Sequence, residues 1–476
     1  MHPEKELPMD ASRSSVSDVD VQALVDGDRD HLWHHIKSHR CFQSQEQMIV
    51  AAGKGLMVTD IRGREYLDAT SGGVWCVNVG YGRESIADAV AAQLKQMSYF
   101  AGSVGTVPSI RLSAKLLQLL PTMGKVYFSN SGSEANEKSY KIIRQVATID
   151  PARKGRYKIL YRDRDYHGTT IATLATSGQA ERKKDFGPFP EGFAQIPHCL
   201  CYRCPFDETY PACDIRCARS VEEIIVKEGP ERVGGLIVEP ITAGGGIIVP
   251  VAEYFPIVQE ICHRYGVYLV IDEVVAGFGR TGRFFGHQHF DVEPDMVTLA
   301  KGMASAYEPI SATVVKQALF DQFLNDPADP EQRMHFFRDI STYGGCAGAM
   351  AASLENIRIM ETENLVENSR MMGDYLLDRL RELSDHPAVG DVRGKGLFCG
   401  VELVTDKRRK HPPSEAQMGA VIDAVKAEGV LIGRTNSSLP GLNTTLYYAP
   451  ALVITATQVD RMVEATQKGI CKVFGG

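Results

Sequence analysis

Two side chains of complementary chemistry close consecutive apolar runs in the second half of the chain. The run Tyr268-Leu269-Val270-Ile271 ends in Asp272-Glu273-Val274, and Met296-Val297-Thr298-Leu299-Ala300 ends in Lys301-Gly302. Short apolar runs of this kind read as buried strands, so both polar groups fall at strand ends. An amine at one such end can condense with an aldehyde. A carboxylate at the other can hold the proton of an aromatic ring nitrogen, so that the ring accepts electrons. Pyridoxal phosphate chemistry requires this pair of groups. Strand ends also carry polar residues for ordinary reasons, so the pair needs company before it means catalysis.

Company comes from other strand ends. Ser129-Asn130-Ser131-Gly132-Ser133-Glu134 is a turn of small residues that opens a helix, with Ser131 and Glu134 spaced as a capping box. Free N–H groups at such a start, beside the Ser133 hydroxyl, suit a phosphate dianion; the same pattern also caps helices that bind nothing. Tyr166-His167-Gly168 offers an aromatic that can stack on a flat ring or simply pack in its loop. Glu239-Pro240 ends a further strand. Gly244-Gly245-Gly246 permits close approach to a ligand, or forms a flexible turn.

The elements that must position these groups are apolar strands over 125–128, 157–161, 235–238 and 267–271, separated by helix-length segments. That alternation predicts an α/β fold with a mainly parallel sheet covered on both faces, binding ligands beyond the carboxyl ends of its strands. A hairpin is expected from 55–60 and 65–68 around Gly63, and a long helical stretch over 350–383. Glycine-bounded strands over 389–403 then suggest a smaller α+β unit. The expected division is a flexible arm over 1–20, a first part of the small domain over 21–69, a large cofactor domain over 70–330 and the rest of the small domain over 331–476. The segment Asp326-Pro327-Ala328-Asp329-Pro330 marks the later boundary.

Composition narrows the class. The 476 residues are 44% hydrophobic and 23% charged, which suits a globular enzyme rather than a disordered chain. A net charge of −7 argues against nucleic-acid binding, and no apolar run is long enough to span a membrane. Met1-His2-Pro3-Glu4-Lys5-Glu6 lacks the profile of a signal peptide, so a cytoplasmic location is expected. Eleven cysteines fit reduced thiols there. Five of them, Cys199, Cys201, Cys204, Cys213 and Cys217, crowd one segment. Their spacing admits zinc, but the gap between the pairs is shorter than in most ribbon sites, and a thiol-rich loop without metal is expected.

Six segments together resemble the class III (omega) aminotransferases, enzymes of the fold-type-I pyridoxal phosphate group. They are Ser131-Gly132-Ser133-Glu134-Ala135, Tyr166-His167-Gly168, Glu239-Pro240, Asp272-Glu273-Val274, Gly277-Phe278-Gly279-Arg280-Thr281-Gly282 and Leu299-Ala300-Lys301-Gly302, in family order. The resemblance implies that Lys301 forms the Schiff base and shuttles the proton, while Asp272 holds the pyridinium. Val274 and Tyr166 would sandwich the ring, Gly132 and Ser133 would cradle the phosphate, and Ser131, His167 and Glu239 would complete the cofactor site. Thr342, in Ser341-Thr342-Tyr343-Gly344-Gly345, matches a threonine that reaches the phosphate of a neighbouring subunit, implying a homodimer or tetramer with its site at the interface. Cys346-Ala347 follow where the family usually has His-Pro, which puts the local turn in doubt.

The resemblance extends to substrates. Trp75 matches the aromatic lining of the pocket, and Arg434 matches a mobile arginine for the acceptor's carboxylate, or else is a surface arginine on a small-domain strand. His31-Leu32-Trp33-His34-His35, Cys201-Tyr202-Arg203-Cys204-Pro205-Phe206 and Asp339-Ile340-Ser341-Thr342 are most similar to the taurine–pyruvate members of the family. That implies an amine donor, first taurine, and a 2-oxo acid acceptor, pyruvate, with His34 and His35 as pocket-edge or packing residues. β-Alanine, hypotaurine or a diamine is the alternative donor, and a same-fold aminomutase, racemase or decarboxylase the more distant alternative.

Overall fold

Lys125–Ser129, Ser311–Val315, Met296–Leu299, Tyr268–Asp272, Val233–Val238, Lys158–Arg162 and Phe193–Ile196 lie side by side, in that order, in one sheet of the computed structural model. The structure describes residues 21–42, 47–435 and 441–475, and the arm expected over 1–20 lies outside them. Only Ser311–Val315 runs against the rest, pairing antiparallel with both neighbours; the other pairings are parallel. Every residue of Val233–Val238, Tyr268–Asp272 and Met296–Leu299 is buried. Alternation explains why these strands read as apolar throughout. Ile159, Ile237 and Val270 face one core with Ile143 and Val146 of the helix Gly132–Ile149. Leu160, Leu236 and Leu269 face the other, with Val221 and Val258 of the helices Arg216–Glu228 and Tyr254–Tyr265. Both faces are covered, as a parallel sheet requires.

The hairpin around Gly63 is present, as Met57–Asp60 paired with Glu65–Asp68, and Val50–Lys54 adds a third strand. A fourth comes from the far end of the chain: Val430–Leu431 pairs parallel with Glu65–Asp68. A separate antiparallel sheet holds Val389–Gly394, Cys399–Leu403, Thr445–Tyr448 and Gly433–Arg434.

The long helical stretch is two helices, Ala347–Thr362 and Leu365–Arg381, with a short 3-10 turn after the second. Asn364 breaks it by taking a left-handed conformation, φ 54°, which asparagine tolerates better than other side chains with a β-carbon. The expected capping box is half formed. Ser131 Oγ accepts from Glu134 N–H at 3.2 Å, but the Glu134 carboxylate reaches one residue further back, to Asn130 N–H at 2.7 Å.

The cysteine-rich segment ties the large sheet to the antiparallel one. Arg203 pairs with Glu402 and donates to the Lys410 carbonyl, while Lys410 Nζ donates to the Tyr202 carbonyl at 2.6 Å. The five cysteines of this segment are free thiols, and the described residues contain no cluster of three or more His, Cys, Asp or Glu placed to hold a metal ion. No described helix is long and apolar enough to cross a membrane.

Candidate active site

The sheet's direction brings the polar strand ends to one edge. Asp272 ends the central strand and is 3% exposed. Its Oδ2 is 2.8 Å from His167 Nδ1 and accepts from Asn136 Nδ2 at 2.8 Å, while Oδ1 accepts from Val274 N–H at 3.0 Å. Asn136 lies one helical turn inside the helix that opens at Gly132 and also donates to the His167 carbonyl, at 2.7 Å. One amide thus fixes both the acid and the histidine loop. Sequence reasoning passed over Asn136; its place one turn after Gly132, facing the sheet, is the signal that could have found it.

Glu239 is also buried and shapes the loops around the acid. Its two oxygens accept from Tyr166 N–H at 2.8 Å and Ala243 N–H at 2.9 Å. Burial, with Asp165 and Asp272 nearby, pushes its carboxyl well above the usual range. The triple glycine beyond it serves protein packing: a β-carbon on Gly245 would meet the Arg164 carbonyl oxygen at 2.2 Å.

Lys301 begins a 3-10 turn with φ 42°, a left-handed conformation that strains a residue bearing a β-carbon. Asn356 holds the turn by donating to the carbonyls of Gly302 and Met303 at 2.9 and 3.0 Å. The Lys301 ammonium lies 5.4 Å from the centre of the Trp75 ring. That ring packs edge-on against Tyr447 and Phe398, and its buried indole N–H has no partner among the described residues.

Asp68, which the sequence did not single out, builds the turn that carries Trp75. Its buried carboxylate accepts from Thr70 N–H and Oγ1, Gly72 N–H and the Tyr81 hydroxyl, at 2.8, 2.5, 2.7 and 2.7 Å. Tyr447 Oη closes the turn from the other end of the chain by donating to the Gly73 carbonyl at 3.0 Å. Arg280, fully buried, braces it further through Ser71 Oγ and Asn78 Oδ1 at 3.0 and 2.8 Å.

A planar ring with an anionic tail fits this edge. Ser131 caps the helix and leaves the Gly132 and Ser133 amides at its open end, while Ser133 Oγ accepts from Thr169 N–H at 3.0 Å. A β-carbon on Gly132 would come within 2.9 Å of a Val274 methyl. Ser129 Oγ, Asn136 Oδ1, His167 Nε2, Thr298 Oγ1 and Ser311 Oγ are buried at or near this edge without hydrogen-bond partners among the described residues. Buried polar atoms are seldom left so, and several together mark a ligand seat.

Four expected residues stand apart from this group. Thr342 is exposed, on a 3-10 turn packed over the end of Lys125–Ser129. Arg434 donates to Glu415 at 2.5 Å, so in this conformation it is occupied. His34 pairs with Asp28 at 3.0 Å, and its neighbour His35 is exposed.

Comparison with known proteins adds independent findings. The model of the family described as aminotransferase class-III matches residues 41–470. A protein of Paracoccus denitrificans named hypotaurine/taurine–pyruvate aminotransferase is 52% identical over 457 residues, 96% of this chain and 98% of its own length. A taurine–pyruvate aminotransferase of Rhodobacter capsulatus is 52% identical over 448 residues, covering 94% of this chain and 96% of that protein. Among solved structures, a Bacillus anthracis aminotransferase superposes with a TM-score of 0.90 at 40% identity, covering 95% of this chain and 98% of that one.

Proposed function

The chain belongs to the class III aminotransferases, which use pyridoxal 5′-phosphate, and from that premise we propose that it moves an amino group from taurine to pyruvate, giving sulfoacetaldehyde and alanine. The near full-length 52% identity to two relatives named for that donor and acceptor carries the choice of substrates. Hypotaurine is the second donor to test, because the Paracoccus relative is named for it as well.

When bound, the cofactor supplies an aldehyde for the donor's amine and a ring that draws electrons from the carbon beside that nitrogen. The rest is done by side chains. Lys301 Nζ takes the proton from the donor's amine-bearing carbon and returns it on the acceptor's side. Asp272, oriented by His167 and Asn136, holds the proton of the ring nitrogen. Ser131, Gly132 and Ser133 seat the phosphate, and Tyr166 and Val274 confine the ring. Glu239 acts by positioning, holding the Tyr166 loop. Trp75 lines the amine pocket, and Arg434 takes the acceptor's carboxylate once Glu415 releases it.

Thr342 completes the phosphate site of a second copy, in a homodimer or a tetramer. The exposure of Thr342, together with that of Ile340, Tyr343 and Phe100 around its turn, supports that reading. The three sheets support a large domain over 70–330 and a small one built from 21–69 and 331–476. The five free thiols of the cysteine-rich segment support a reducing compartment, the cytoplasm.

The deciding experiment measures alanine formed from pyruvate by the holoenzyme with taurine, hypotaurine, β-alanine and putrescine as separate donors. Selective turnover of taurine is expected, and it should vanish in Lys301→Ala. Turnover of another donor alone would refute taurine. Activity surviving in Lys301→Ala would refute the lysine's role.

A further inference from the structure

A cation stands beside this site with no counter-ion among the described residues. Arg182 lies on the short helix Ala180–Lys183, with its guanidinium carbon 4.9 Å from the centre of the Tyr166 ring. Its Nε donates to Gln179 Oε1 at 2.7 Å. Gln179 is itself fully buried and donates to the Arg164 carbonyl at 3.1 Å, so the anchor is fixed. Among the described residues, nothing in the protein bonds the two terminal nitrogens of Arg182, and no carboxylate lies within salt-bridge distance. The adjacent Glu181 accepts instead from Asn443 Nδ2 at 3.0 Å, in the segment that follows Arg434.

Most nearby guanidiniums are differently placed. Arg162 pairs with Asp165, Arg203 and Arg393 pair with Glu402, and Arg434 pairs with Glu415. Arg280, also without an ion pair, spends both terminal nitrogens on Ser71, Asn78 and the Leu397 and Pro450 carbonyls, whereas those of Arg182 are bonded to no described residue. A half-buried charge is normally matched by an opposite one, because desolvation without a partner is costly. Arg182 is half-buried, and burial lowers its pKa. An anion from outside the chain would supply the missing charge. Stacking on Tyr166 leaves the edge of the guanidinium fork open to oxyanions.

We propose that Arg182 receives the anionic end of the amino donor, a sulfonate or carboxylate two carbons from the amine. This rests on the reading of Tyr166 as the residue against the cofactor ring. A donor whose amine reaches Lys301 carries its anion only a short chain away, so the receptor must stand near that ring, where on this reading the stacking on Tyr166 puts Arg182. Arg434 then serves the acceptor, and the two anionic substrates meet different arginines.

The test uses the first half-reaction alone, without pyruvate, followed through the visible absorption of the bound cofactor. Taurine, β-alanine and the neutral donor benzylamine are compared in the unsubstituted holoenzyme and in Arg182→Gln. The ratio of taurine to benzylamine kcat/KM is expected to fall about ten- to a hundredfold, the usual worth of a hydrogen bond to a charged group. The β-alanine ratio should fall with it if the receptor accepts both anions, and stay level if it is specific for sulfonate. Calorimetry with isethionate, a sulfonate without the amine, should show a matching loss of affinity independent of turnover. An unchanged taurine ratio with unchanged isethionate affinity would overturn the assignment. Should Arg182→Gln lose its cofactor band, Arg182→Met, which keeps an apolar stem over Tyr166, decides on the same two readings. If the unsubstituted enzyme rejects taurine, the donor proposed above fails, and the Arg182 assignment is then judged on β-alanine and isethionate.

Discussion

Replacing Asp68 by asparagine should disable the amine pocket while leaving the cofactor cradle intact. The carboxylate receives four donors, and all four hold the turn of Thr70 to Trp75 or its support Tyr81. An asparagine oxygen can keep the two bonds from Thr70. Its amino group then faces the Gly72 N–H and the Tyr81 hydroxyl. The hydroxyl can rotate to accept, but the N–H cannot. One part-buried bond to a charged group, that from Gly72 N–H, is lost, about 1.5–3 kcal/mol. Against this stands a turn with positive φ at Gly72, Gly73 and Trp75, of which Trp75 at φ 64° alone stores on the order of 1 kcal/mol. The lost bond exceeds what the turn can spare, so the turn should relax and withdraw the Trp75 ring from Lys301.

Even about 2 kcal/mol predicts roughly a thirtyfold fall in kcat/KM for the donor. Affinity for the cofactor should stay within about twofold, because Asp68 touches none of the groups around Asp272. The chain has two tryptophans, and Trp33 is 87% exposed, so a Trp33→Phe background isolates Trp75 for fluorescence. In that background Asp68→Asn should shift the Trp75 emission to the red. Unchanged emission together with unchanged donor kinetics would refute the reasoning.

Gly132→Ala drives a β-carbon to 2.9 and 3.0 Å from the two methyls of Val274. Overpacking of this kind costs about 1–3 kcal/mol, so cofactor affinity, titrated into apoprotein, should drop about tenfold or more. Glu415→Gln removes a partner that is largely exposed, so stability should hardly change, and the freed Arg434 should lower the KM for pyruvate about two- to fivefold. Arg434→Ala should raise it more than about tenfold, and equal kinetics in both variants would end that role for Arg434. His198 is held neutral, its pKa drawn down to about 3 by burial and then by Arg164 and Arg162. Its folded pKa lies below its unfolded value, so the unfolded chain binds the extra proton. Stability should therefore be complete above about pH 6.5 and fall by about 1.4 kcal/mol per unit as pH drops towards 3. Denaturant midpoints measured across that range should slope less in His198→Gln.

The legible parts of this site were those fixed by local pattern. Asp272 and Lys301 stood out because buried parallel strands are apolar to their ends and polar residues begin where the sheet stops. Gly132 and Ser133 stood out because a small-residue turn before a helix leaves free N–H groups that suit a phosphate, and because it stands in line with the other polar strand ends. The residues that escaped act across the chain. Asn136 looks like any polar residue on a helix until the sheet places Asp272 and His167 beside it. Asp68 looks like the last residue of a hairpin, and its four donors appear only once the following turn has formed. Tyr447 meets Gly73 from the far end of the chain, a contact no local period announces. The break at Asn364 was hidden for a related reason: apolar residues continue at helical spacing on both sides of it.

The strand from Val430 to Leu431 that joins the first hairpin bears on how the protein is made. Ala69 N–H bonds the Leu431 carbonyl, Ala449 N–H bonds the Ala69 carbonyl, and Ser71 Oγ donates to the Ala449 carbonyl. The turn bearing Trp75 is therefore held by residues synthesised long after it. During synthesis the large sheet can assemble around its local crossovers well before this closure, with the early hairpin waiting for its partner strand. A nascent chain can thus hold Lys301 and Asp272 in register while its amine pocket is still open. Competence for turnover should arrive abruptly once the segment from Val430 to Ala449 is made, rather than accumulate as the chain grows.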